Sequence, residues 1–146
     1  MIPRVGEPVL AGQRYRRRPG AYAVLVRGGR VLLTHQQAPE PEFQLPGGGV
    51  DAGEHPVGAL HREVFEETGW KIALQRRLGA FRRFTYMPEY DLWAEKLCTI
   101  YLGRPVLRLG PPGEAGHTAH WVPLPLAAEI VGNDGDRMFL RRIAAA

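Results

Sequence analysis

Cysteine occurs once in the 146 residues, as Cys98. That excludes an intramolecular disulfide and any zinc site built from several thiolates. Cys98 stands in an apolar, strand-like run, where a buried thiol serves packing. Long apolar runs are missing too: the longest, Ala21–Val26, is far short of the ~20 residues needed to cross a bilayer as a helix, and no membrane partner is expected. The opening "MIPRVGEPVLAGQRYRRR" does not place a basic stretch before an apolar core, so no secretory signal is expected either. Together these readings lead to the expectation of a reducing, cytoplasmic setting. Lysine is scarce, with only Lys71 and Lys96. Internal repeats, low-complexity segments and linkers are absent from the sequence, and a single domain over residues 1–146 is expected.

The chain does hold ordinary globular material, 45% hydrophobic and 23% charged, which excludes disorder. Its formal charge of +4 comes almost wholly from arginine, clustered at Arg14, Arg16, Arg17 and Arg18 and paired at Arg76–Arg77, Arg82–Arg83 and Arg141–Arg142. Guanidinium forks suit phosphate oxygens, and they equally suit a solvated surface, so charge alone names no ligand.

Along the chain, "AYAVLVRGGRVLLTHQQ" (21–37) predicts a β-hairpin turning at Gly28-Gly29. Residues 38–54 read as loop with short strands at most. Pro56 is a good first helical residue, Val57, Leu60 and Val64 make an apolar stripe, and Gly69 supplies the stop, predicting a helix over 56–68. Strands are expected near 72–86 and 93–103 around the turn "MPEYD", then a Gly/Pro-rich loop from Gly103, a strand at "HWVPL", and helices over 125–131 and 135–145. The fold class is α+β, a mixed central sheet with helices on both sides.

The helix raises a question of charge. Glu63, Glu66 and Glu67 fall within an arc of roughly 100° in its last turns. Acids at a helix C-terminus oppose the macrodipole by ~0.3–1 kcal/mol each when exposed. Glu63 and Glu67 add a like-charge pair at i,i+4, worth roughly 0.2–0.5 kcal/mol. Broken local rules of this kind mark function, and a divalent cation resolves the conflict because hard ions want several carboxylate oxygens together. The preceding "LPGGGVDAGE" brings three glycines where backbone must turn tightly and come close to something.

Gly48, Glu54 and Arg62-Glu63-Val64-Phe65-Glu66-Glu67-Thr68-Gly69-Trp70 resemble the Nudix box, G-x5-E-x7-R-E-U-x-E-E-x-G-U. At ~6–7% usage per residue, a chance match at these spacings is on the order of one in a million. Trp70 departs from the pattern, which has a bulky aliphatic there. The resemblance implies an α/β/α sandwich and Mg²⁺- or Mn²⁺-dependent cleavage of a nucleoside diphosphate linked to another group. It implies that Glu63, Glu66 and Glu67 ligate metal with the carbonyl of Gly47, that Glu54 acts on metal or water, and that Arg62 orients the acids. Gly48 and Gly49 are the expected backbone contacts to phosphate.

Nothing in the sequence is like the signature of the NADH-cleaving or coenzyme A-cleaving members. Tyr86 lies near where dinucleoside polyphosphate hydrolases carry a tyrosine, and Pro88 near where ADP-ribose hydrolases carry a proline. The short chain and plain glycine loop look most like housecleaning enzymes, which puts ordinary or oxidised nucleoside triphosphates ahead of dinucleoside polyphosphates and ADP-ribose. Arg18 is expected at the mouth of the site, binding the polyphosphate. Glu114 in the late loop "GPPGEAGHTAHW" is the expected proton acceptor, with His117 and His120 as alternatives. Readings from other classes are a nucleic-acid-binding module, suggested by a pI of about 9.6, and a ligand-sensing regulator on the same scaffold. The intact box favours the enzyme, as a monomer or homodimer with a nucleotide substrate and no stable nucleic-acid partner.

Overall fold

The computed structural model describes residues 1–113 and 115–146. Strand β1 is Arg4–Val5, β2 is Arg16–Arg27 and β3 is Arg30–Gln36. Gly28 and Gly29 take φ of 57° and 76° between the last two, the conformation a tight hairpin demands. The predicted hairpin is present but opens at once: β2 and β3 pair only at Val26↔Val31 and Arg27↔Arg30. Beyond that they serve different halves of one mixed sheet.

Strands β4 (Glu42–Gln44) and β5 (Gly47–Gly49) precede helix α1 (Pro56–Thr68). Strand β6 (Trp70–Met87) and β7 (Leu92–Arg108) form a long hairpin around a 3-10 turn at Pro88–Tyr90. Strand β8 (His117–Pro123), α2 (Leu124–Ile130) and α3 (Asp134–Ala145) complete the chain. The order across the sheet is β1-β6-β7-β2-β3-β4, with β5 on β2 and β8 on β3. Pairs β1–β6 and β2–β7 are parallel, the others antiparallel.

Alternation along β2 builds two cores, because successive side chains face opposite ways. Ala21, Ala23 and Leu25 meet Leu60 and Val64 of α1. Tyr22, Val24 and Val26 face the other way, toward Ala127 and Ala128 of α2 and Phe139 and Leu140 of α3. Burying Leu60 or Val64 contributes roughly 1.5–3 kcal/mol each. The expected sandwich, helices on both faces of a mixed sheet, is therefore what the chain forms. Among the described residues no helix is long and apolar enough to cross a membrane.

Two expectations fail in detail. The late loop does not begin at Gly103, since β7 runs on to Arg108 through Pro105. Pro105 is tolerated because β2 leaves off at Leu25↔Gly103, so the strand there has one neighbour and needs no donor on its other side. The hairpin was expected to begin at Ala21, yet β2 starts at Arg16, and Arg4–Val5 adds a short parallel edge to β6.

Candidate functional site

Helix α1 starts and stops by local chemistry. His55 precedes Pro56 and its Nδ1 accepts from the N–H of Val57 at 3.1 Å. Gly69 closes the helix at φ 76°, donating to the Phe65 carbonyl at 2.8 Å. No acid stands in the first turn and no base in the last, so the charges run against the dipole, as the sequence implied.

Docking of α1 against β5 divides the three glutamates. Glu67 is buried at 5% exposure, Glu63 is half-buried and Glu66 is exposed. The N–H of Gly47 donates to Glu67 Oε1 at 2.9 Å. Gly48 lies so close to Glu63 that a Cβ there would stand 2.5 Å from its carboxyl carbon. Glycine at 48 is thus required by the carboxylate and not by a left-handed turn. Gly47 takes φ 143°, and a Cβ there would meet the Ala21 carbonyl at 2.2 Å.

Arg62 ties the acidic face together. Its Nε and Nη2 donate to the two oxygens of Glu54, both at 2.9 Å. Nη1 donates to Glu63 at 3.0 Å and lies 3.6 Å from Glu66. Nη2 also reaches the Gly49 carbonyl at 3.4 Å. The hydrogen bonds from Arg62, helped by the Asp51 N–H, hold the Glu54 carboxyl down at about 2. The same partners, Glu54 first, raise the guanidinium above its usual value. Across the cleft, His117 Nε2 of β8 stands 3.8 Å from Glu67 Oε2.

Among the described residues no three carboxylate, imidazole or thiol side chains are gathered tightly enough to hold an ion as they stand. The donor set nonetheless fits a hard divalent cation. Glu63 and Glu67 approach the Gly47–Gly48 backbone, and Arg62 holds Glu63 and lies 3.6 Å from Glu66, so N–H and guanidinium donors already face the oxygens that would hold an ion. The missing Cβ at Gly48 leaves Glu63 the room to sit there.

A cavity of about 350 Å³ is lined in part by Gln44, three residues before Gly47. Glu7, Glu40, Glu42 and Glu89 line it against two cations, Arg83 and Lys96. Arg83 is already engaged by Glu7 at 3.2 Å. Tyr86 stands on its wall, 39% exposed, with its hydroxyl on Asp91, whose carboxylate raises the phenol above its usual value. Trp93 lies behind the ring at 5.1 Å. Arg18 lies in β2 opposite Lys96, with its guanidinium 4.9 Å above the Tyr90 ring. Glu114 lies outside the described residues. Trp70 packs edge-on to Trp121 at 6.0 Å, with Arg27 over both rings, so the aromatic at this position is absorbed by packing behind α1. Cys98 is buried and burial pushes its thiol up to about 12, in keeping with a structural role.

Sequence reasoning gave no sign of Asp136. It is 3% exposed, and its Oδ2 accepts from the Leu45 N–H at 3.0 Å across 91 residues of chain. Burial pushes its carboxyl up to about 6. No local pattern marks such a contact; the structure shows Asn133 capping the helix that carries Asp136.

A family model described as NUDIX domain matches residues 15–143. Over 74 residues the chain is 34% identical to a Bacillus subtilis (strain 168) protein provisionally named 8-oxo-dGTP diphosphatase, covering 51% of this chain and 50% of that one. Over 51 residues it is 47% identical to diphosphoinositol polyphosphate phosphohydrolase 2 of Rattus norvegicus, covering 35% of this chain and 28% of that one. The matches thus span half or less of the length of these curated relatives. The crystal structure of a MutT NUDIX hydrolase from Burkholderia pseudomallei is similar at TM-score 0.64 and 27% identity, over 88% of this chain and 98% of that one. The MutT protein of Methanosarcina mazei Go1 has the same fold, at TM-score 0.72 and 21% identity over 92% and 97%.

Proposed function

The chain belongs to the Nudix family, and from that premise we propose that it hydrolyses a diphosphate bond in a nucleoside triphosphate, ordinary or oxidised, with Mg²⁺ or Mn²⁺. The observation that carries the reading is the buried Glu67 on the Gly47 N–H, with Glu63 against Gly48 and Arg62 forked onto Glu54. An acidic helix end pressed onto a glycine backbone has no structural use that a neutral residue would not serve better.

Glu63, Glu66, Glu67 and the Gly47 carbonyl would hold the metal. A divalent cation bound there neutralises the diphosphate and acidifies water. Arg62 keeps Glu63 in place and anchors the loop through Glu54. Glu54, held at about 2 by that fork, is a poor proton acceptor at neutral pH, and Glu114, with His117 and His120 as alternatives, would take the proton from the attacking water. Gly48 and Gly49 pair with Ala21 and Gly20 of β2, and the glycine backbone there, with Arg18 nearby on the same strand, would face the phosphate oxygens.

The cavity argues for the nucleoside. Four carboxylates against two cations would repel a ring carrying many phosphates, whereas carboxylate and amide oxygens suit the N–H donors of a base. This disfavours inositol polyphosphates, the substrates named for one group of relatives. A dinucleoside polyphosphate is the second reading, favoured by the partly exposed Tyr86 ring, on which another base could stack.

The test is a panel of canonical and oxidised nucleoside triphosphates, dinucleoside polyphosphates, ADP-ribose and diphosphoinositol polyphosphates, each with Mg²⁺ or Mn²⁺ and with products resolved by chromatography. Release of nucleoside monophosphate with inorganic diphosphate, or of nucleoside diphosphate with inorganic phosphate, from a triphosphate supports the proposal. Turnover confined to diphosphoinositol substrates, or none anywhere, would sink it.

A further inference from the structure

The three residues leading into the glycine segment are gripped at both ends. The Leu45 N–H donates to Asp136 Oδ2 at 3.0 Å and the Gly47 N–H to Glu67 Oε1 at 2.9 Å. Pro46 between them has no N–H to offer, and its carbonyl accepts from Ala23 at 3.0 Å. The two N–H groups and the Pro46 carbonyl of this short piece are thus held by three different elements: α3, α1 and β2.

Asp136 is itself rigidly placed. Asn133 Oδ1 accepts from its N–H at 2.8 Å. Gly135 beside it sits so tightly on Phe81 that a Cβ would approach the ring to 2.3 Å, which fixes the start of α3 on the sheet. Leu45 is fully buried, and its N–H would be costly to leave unpaired, by ~1–3 kcal/mol. A chamber of about 20 Å³, room for roughly one water, lies against Asp136 and is lined also by Gln44, Arg83 and Lys96. Those three also line the larger cavity.

We propose that Asp136 is a positioning residue for hydrolysis: by holding Leu45 it sets, through Pro46, where the Gly47 carbonyl and Glu67 stand. This rests on the proposed role of Gly47 and Glu67. It assigns to α3, a helix on the opposite face of the sheet from α1, control over the geometry of the catalytic loop. The contact is stronger than a packing contact because a charged acceptor shortens and strengthens the bond to an N–H.

The experiment compares wild type with Asp136→Ser, whose shorter side chain cannot reach Leu45, and Asp136→Asn, whose amide oxygen can. Amide hydrogen exchange of the metal-free proteins is read by NMR alongside kcat and KM on the best triphosphate. Asp136→Ser should speed exchange at Gly47 as well as Leu45, and should lower kcat about 10–100-fold with KM within about 3-fold. Asp136→Asn should keep Gly47 protected and kcat within about 3-fold of wild type. Unchanged Gly47 protection in a folded Asp136→Ser protein, or unchanged kcat, overturns the proposal. If the serine variant does not unfold cooperatively, the asparagine variant decides: fast exchange at Gly47 or a large loss of kcat in it overturns the proposal, and retention of both supports it. Wild type inert on every nucleotide would refute the hydrolase reading while leaving the exchange result to be read by itself.

Discussion

Gly47 and Gly48 are neighbours with opposite reasons for being glycine, and alanine at each should separate stability from catalysis. At Gly47 a Cβ would stand 2.2 Å from the Ala21 carbonyl and 2.6 Å from Tyr22 Cα, at φ 143°. Those obstacles are backbone of a central strand, so Gly47→Ala should cost several kcal/mol, about 3 or more, through a shifted β2–β5 pairing and positive-φ strain. At Gly48 no such φ arises, and the Cβ would meet only the Glu63 carboxyl at 2.5 Å. That carboxyl must retreat by about 1 Å to reach ordinary contact, which a flexible side chain does at a cost of about 1 kcal/mol or less. A 1 Å displacement of a catalytic group can cost ~100-fold in rate. Gly48→Ala should therefore fold with nearly wild-type stability and lose about two orders of magnitude in kcat. Urea denaturation gives the first quantity and steady-state hydrolysis with Mg²⁺ the second. Wild-type turnover in Gly48→Ala would refute the placement of Glu63 in the site; a stability loss like that of Gly47→Ala would refute the claim that only a side chain stands in the way.

Divalent ions should raise the melting temperature, by an amount equivalent to ~2.7 kcal/mol at a hundredfold excess over Kd; Glu67→Gln should abolish most of that shift and most of kcat, and an undiminished shift in this variant would remove Glu67 from the metal. Arg62→Lys keeps the charge but not the fork onto Glu54, so kcat should fall at least tenfold, and a variant of wild-type activity would reduce Arg62 to a surface ion pair. Asp136, at 3.8 unfolded and about 6 folded, favours the fold fully below pH 3.8 and loses that contribution as pH rises through 6. The urea-derived stability of wild type minus Asp136→Asn should accordingly drop by about 2 kcal/mol from pH 4 to pH 7, and a flat difference would mean that the carboxyl is not buried as described. Arg18→Ala should raise KM for a triphosphate several-fold with kcat unchanged, since Arg18 lies beside the glycine-paired part of β2; identical KM values would return it to the role of a cation over Tyr90.

What could be read in advance was what local chemistry decides. Pro56 and Gly69 bounded α1 to the residue because a fixed φ at one end and a left-handed cap at the other depend on nothing outside the helix. The arc of glutamates was equally legible, but the helical period cannot tell which part of an arc is pressed against a strand. Glu67 went under at 5% exposure and Glu66 stayed out, a result of how α1 meets β5. Pro105 and Gly103 looked like loop, since strand propensity assumes two neighbours and β7 has only one past Gly103. The grip of Asp136 on Leu45 spans 91 residues and leaves no periodic trace in either segment.

The parting of β2 from β3 after two residue pairs has a kinetic consequence. A hairpin that stayed zipped would let a local turn nucleate the sheet early, at small cost in chain entropy. Instead β2 finds most of its hydrogen bonds with β7, 78 residues away along the chain, and parallel pairing of that kind cannot begin from a tight turn. The long β6–β7 hairpin is the element able to form first. Strand β2 must then arrive from a distance before the glycine segment has a strand to pair with. The glycine segment is thus completed late, and the approach of Glu63 and Glu67 to it is deferred until the rest of the sheet exists to receive it.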